Sequence, residues 1–94
     1  MNNTQELIEE ECETIKAVLL KKNKEYGDSA INPVRIFSKA DPIEQINVRI
    51  DDKLSRINNK RIKEIEEDTE LDLIGYLILK CVANKIKNIK EKES

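Results

Sequence analysis

Apolar residues recur along most of this chain at steps of three and four with charged residues between them, the period of helices that bury one face. The clearest stretch runs from Asp41 to Ile57, where Ile43, Ile46, Ile50, Leu54 and Ile57 follow at steps of three, four, four and three. Its start carries its own signal. Asp41 can accept from the free N–H groups of a first turn, and Pro42 fits the first helical position because its missing N–H would have no partner there. Glu44 completes an Asp-x-x-Glu capping box. Asn58-Asn59, followed by alternating charge, marks the end and a polar connection.

A first helix is expected to begin at Asn3 with Glu6 as its box partner, and to bury Ile8, Cys12, Ile15 and Leu19, widened by Leu7 and Val18. Acidic residues crowd its first half and lysines its end, as the helix macrodipole favours. The last helix is expected to open near Asp68 or Thr69. Leu71, Ile74, Ile78, Cys81, Val82, Ile86 and Ile89 form its main stripe, with a fraying tail from Glu91. Between the first two helices lies the one irregular stretch, Glu25 to Ala40. Gly27 is placed to close the first helix in a left-handed conformation, and Pro33 keeps Asn32 out of the helical region. Ile31, Val34, Ile36 and Phe37 supply apolar groups for packing, with Phe37 as a core plug. The pattern predicts an all-α domain spanning residues 1–94: a small bundle of about three helices, near 3–25, 42–58 and 68–91, with a structured loop between the first and second.

Composition agrees with helices. Of 94 residues, 38% are charged and 38% hydrophobic, and two Gly and two Pro leave little for the many turns of a sandwich or barrel. Such a bundle buries a small core, and the last helix carries Leu73, Leu77 and Leu79 off its main stripe, so a second face is expected to be covered in a homo-oligomer. The net charge of -2 argues against a duplex-DNA binder, which would show a basic surplus. No apolar run approaches the roughly 20 residues of a membrane span. The polar start Met1-Asn2-Asn3-Thr4 has no basic or apolar signal-peptide region, so a cytoplasmic location is expected. Cys12 and Cys81 read as small buried hydrophobes in a reducing compartment rather than as a disulfide. The chain has no histidine, which removes the commonest general base and metal ligand together.

Candidate chemistry sits beside the central stripe. Arg49, Lys53, Arg56 and Lys60 follow at steps of four, three and four, a row of cations next to a core-facing seam and suited to an anion. Lys22 and Lys24 precede the irregular stretch, Tyr26 opens it, and Asp52, Asp68, Asp72 and Tyr76 complete the set. A solvated face with ordinary i,i+4 pairs, such as Asp52 with Arg56, would account for many of these charges, each pair contributing only about 0.3–0.5 kcal/mol.

Three blocks in order carry a resemblance: Lys22-x-Lys24-x-Tyr26-Gly27-Asp28-Ser29, Arg49-Ile50-x-Asp52-Lys53-Leu54-x-Arg56-Ile57, and Glu67-Asp68-Thr69-x-Leu71-Asp72-Leu73-x-Gly75-Tyr76. Together they resemble the nucleotide modification associated domain family, small helical proteins of phages, prophages and bacteria. The likeness covers roughly residues 16 to 84 and implies a link to modified or signalling nucleotides. A weaker likeness is to the all-helical nucleoside triphosphate pyrophosphohydrolases of the MazG type, whose paired carboxylates hold Mg²⁺ on the phosphates. Here Asp68 and Asp72 would be the metal ligands, while Thr69 stands where that pattern has Glu.

Three readings follow. In the first, Arg49, Lys53 and Arg56, with Lys22 and Lys24, hold the phosphates of a nucleotide or nucleotide-derived signal. Tyr26 or Tyr76 stacks on a base, and Asp52, Asp68 or Asp72 takes ribose hydroxyls or orients the arginines. No cofactor and no catalytic residue is needed, and in a phage setting the role would be sequestration of an immune signal, an anti-defence activity. In the second, the chain is a Mg²⁺-dependent pyrophosphohydrolase. In the third, it is a helical interaction module without ligand.

Overall fold

The computed structural model describes residues 3–31, 40–59 and 69–93, and among them the only regular elements are three helices: α1 (Thr4–Tyr26), α2 (Pro42–Asn58) and α3 (Thr69–Glu93). The all-α expectation holds, and each boundary falls within two residues of the one read from the pattern. The local start signals work as their chemistry requires. The Asn3 side chain accepts from the Glu6 N–H at 2.9 Å, and Asp41 accepts from the Glu44 N–H at 2.9 Å with Pro42 at the start of α2. At the far end of α2 the Asn59 N–H donates to the Ser55 carbonyl. No described helix is long and apolar enough to cross a membrane. Phe37 and the rest of 32–39, and the connector 60–68 with Lys60 and Asp68, lie outside the described residues.

α2 packs along α3, and the densest packing lies between them. Ile46, only 1% exposed, meets Ile50 and Ala83, with Ile43, Leu73, Tyr76 and Leu79 against this centre. α1 also packs on α3, but among the described residues α1 and α2 do not pack on each other. The α1–α3 contact is close because Gly75 has no side chain: a Cβ there would stand 3.3 Å from Leu19 Cδ2.

Three expectations are corrected here. On α3, Leu73 and Leu79 belong with the core, while Ile74 and Ile78 of the expected main stripe are exposed, as is Leu77. The face toward α2 includes Ala83 and Tyr76, which carry less apolar weight than Ile and Leu, so a count of large hydrophobes selects the wrong side. Cys12 and Cys81 are free and exposed rather than buried. On α1, only Ile15 of the expected stripe is buried; Leu7 and Ile8 are exposed, because the first half of α1 finds no partner among the described helices.

Gly27 closes α1 with φ 65° and ψ -155°. The positive φ was expected, but ψ lies outside the left-handed helical region, in a region open essentially to glycine alone. Asn23 Nδ2 donates to the Gly27 carbonyl at 3.3 Å and to Asp28 Oδ1 at 2.8 Å, and the Ile31 N–H donates to the Asp28 carbonyl at 2.9 Å. This turn brings Ile31 back to a buried position. A Cβ at Gly27 would meet nothing within 4 Å, so Gly27→Ala isolates backbone strain. We expect it to destabilise the fold by about 1–3 kcal/mol. Urea unfolding followed by circular dichroism measures this, and an unchanged midpoint would show that the turn is free to reorganise.

Candidate functional site

The space that α1 and α2 leave between them is a cavity of about 470 Å³, floored by α3. Each helix contributes one pair of polar or aromatic side chains spaced i,i+4, which places both members on the same face one turn apart. α1 gives Lys22 and Tyr26, α2 gives Arg49 and Lys53, and α3 gives Asp72 and Tyr76. Beneath them the wall is apolar, with Ile15, Val18 and Leu19 from α1 and Leu71, Gly75 and Leu79 from α3.

One strong electrostatic contact ties two of these pairs together. Lys53 Nζ donates to Asp72 Oδ2 at 3.1 Å, with the two side chains only 14% and 30% exposed. The Arg49 guanidinium lies over the Tyr76 ring, 5.9 Å from its centroid, within the range where the ring quadrupole attracts a cation. Tyr76 is half-buried against the α2–α3 core, so the core fixes the ring that Arg49 overlies. Tyr26 is exposed at the rim, beside the Gly27 turn.

Among the described residues, three cations and one carboxylate therefore border a single cavity that also presents two tyrosines. Lys22, Tyr26, Arg49, Lys53, Asp72 and Tyr76 were all read as candidates, and the fold brings them together. Lys24, Asp52 and Arg56 are exposed and do not border the cavity. Lys24 is two residues from Lys22, about 200° around the helix, and Asp52 is about 100° from Lys53. Arg56 lies in the last turn of α2, beyond the cavity's end. Asp68 lies outside the described residues. Among those described, no three His, Cys, Asp or Glu side chains converge as a metal-ligand group.

Three lining residues were missed in the sequence. Asn23 and Ser29 add polar groups at the rim, and Asn23 also braces the Gly27 turn. Gly75 is the third. A glycine in a helix interior costs about 1 kcal/mol relative to alanine, so its presence in α3 was a signal of close approach by another element. No family model matches this sequence, and no curated protein or solved structure matches it.

Proposed function

We propose that this protein binds a nucleotide or nucleotide-derived signal through its phosphates and releases it unchanged. The observation that carries the reading is the lining of the cavity between α1 and α2: among the described residues, Lys22, Arg49 and Lys53 against the one carboxylate of Asp72, with Tyr26 and Tyr76 beside them. Its volume, about 470 Å³, suits a small molecule. In this reading the cations hold phosphate oxygens through charge-assisted bonds. Tyr26, exposed at the rim, stacks on a base. Asp72 engages Lys53 while the cavity is empty, and its oxygen would accept from a ribose hydroxyl, as an asparagine amide oxygen also could. Binding of this kind needs no activated water, so the chain's lack of histidine is no obstacle to it.

The three sequence blocks that carry the resemblance supply these same residues, Lys22 and Tyr26, Arg49 and Lys53, and Asp72 and Tyr76. We accordingly assign a cytoplasmic sequestration role of the phage or prophage kind, with neither duplex DNA nor a membrane as partner.

The test is incubation with a panel of nucleoside triphosphates, cyclic oligonucleotides and ADP-ribose-derived nucleotides, with and without Mg²⁺ or Mn²⁺. The protein is then desalted, heat-denatured and its ligand chromatographed. An intact nucleotide, retained by the folded protein and recovered on denaturation, is the expected result. Catalytic release of monophosphate and pyrophosphate, abolished in Asp72→Asn, would replace this reading with the MazG-like hydrolase. Retention of no panel member would favour the interaction module.

A further inference from the structure

The outer face of α3 presents Ile74, Leu77 and Ile78, exposed to 39%, 45% and 40%, together with exposed Cys81. At 100° per residue these four, with Glu70 before them and Lys85 after them, fall within an arc of about 100°. Asp72 and Tyr76, which face the cavity, lie on the opposite side of the helix. The seam is symmetric in chemistry about its midpoint between Leu77 and Ile78. Reversing the helix about that point sets Ile74 against Cys81, Leu77 against Ile78, and Glu70 against Lys85.

From this register we infer that α3 pairs antiparallel with α3 of a second copy of the chain, forming a two-fold dimer through Ile74, Leu77, Ile78 and Cys81. Charge complementarity selects both the occupant and its direction. In the antiparallel pair each Glu70 meets the partner copy's lysine at position 85, at both ends of the seam. In a parallel pair Glu70 would face Glu70 and Lys85 would face Lys85, an arrangement of like charges. The antiparallel interface is isologous and closes on itself, so it ends at two copies. It leaves the cavity between α1 and α2 open in each protomer, so the dimer stands independently of the ligand reading.

The geometry also fixes which cysteines can join. Across the antiparallel seam the two copies of residue 81 are seven residues apart along the axis, about 10 Å at the helical rise, beyond the roughly 7 Å Cα separation of a disulfide. Residue 77 lies about 1.5 Å from its symmetry mate along the axis. The full chain is therefore examined by light scattering at about 50 μM and by mild oxidation. A dimer is expected. Cys12→Ser alone should not cross-link through Cys81, whereas Cys12→Ser, Cys81→Ser with Leu77→Cys should cross-link readily. Glu70→Lys should raise the dimer dissociation constant about tenfold or more, and adding Lys85→Glu should restore it. That rescue separates pairing from any loss of helix stability, because the double variant keeps the altered first turn. A monomer at this concentration, a disulfide through Cys81, no disulfide through position 77, or no rescue in the double variant would each overturn the proposal.

Discussion

Lys53→Met should weaken binding of the nucleotide retained from the panel by about 10- to 150-fold, while Asp72→Asn should tighten it. Methionine keeps most of the buried stem of Lys53 and removes the charge, so packing between α2 and α3 is largely preserved. The loss is one charge-assisted bond to phosphate, about 1.5–3 kcal/mol. It also leaves the Asp72 carboxylate, now without the ammonium 3.1 Å away, facing an anionic ligand. Asp72→Asn acts in the opposite direction. It removes the one carboxylate that borders the cavity among the described residues and releases Lys53 to the phosphates, and the gain should shrink as salt is raised because the rim is open to solvent. Calorimetric titration at low and high ionic strength reads both variants. If Asp72 were instead a magnesium ligand, Asp72→Asn would weaken nucleotide binding in the presence of Mg²⁺. That sign, together with an unaffected Lys53→Met, would sink the phosphate-cradle reading.

Ile46→Ala should cost about 2–5 kcal/mol, the range for truncating a fully buried isoleucine. Ile46 is 1% exposed and stands at the centre of the α2–α3 packing, where neighbours on both helices would face the void. Small domains have only about 5–15 kcal/mol in total, and short ones lie at the low end. The variant is therefore expected to melt far below the parent. Leu54, on the same stripe of α2 but 49% exposed, provides the control: Leu54→Ala should cost about 0.5 kcal/mol or less. Thermal melts by circular dichroism compare the two, and equal losses would mean that the α2–α3 contact is not the core of the fold. Tyr76 packs against the same cluster, so Ile46→Ala should also loosen the ring beneath Arg49.

What could be read in the sequence was what the chain decides locally. Asn3 with Glu6, and Asp41 with Pro42 and Glu44, settle helix starts through bonds that span three residues, and these appear as expected. Which face of α3 goes inside is decided by partners distant in sequence. Leu71, Leu73, Ile74, Leu77, Ile78 and Leu79 leave almost no polar side near its start, so several stripes fit the period equally well. The choice that α2 imposes runs through Ala83, which pattern counting undervalues. The candidate site divides in a similar way. Arg49 with Lys53 was legible because a spacing of four fixes a shared face whatever the tertiary structure, whereas Lys22, Tyr26, Asp72 and Tyr76 came in through the irregular stretch and the resembled blocks. Lys24 and Asp52 joined them by nearness in sequence, which the helical rotation does not respect, whereas Arg56 shares the face of Arg49 and Lys53 but lies in the last turn of α2, beyond the cavity.

The gap between α1 and α2 has a thermodynamic consequence. Those two helices communicate through α3 alone among the described residues, and α1 buries only Ile15 among its own side chains. A molecule held at once by Lys22 and Tyr26 on one side and Arg49 and Lys53 on the other would serve as the missing contact between them. It would bind the folded arrangement and not the unfolded chain. By mass action, ligand at 100 times its dissociation constant adds about 2.7 kcal/mol to the stability of such a protein. That is a large share of what a bundle of this size holds by itself. Under the proposed function, occupancy of the cavity would be written into the melting temperature of the whole chain, with the ligand acting as part of the core.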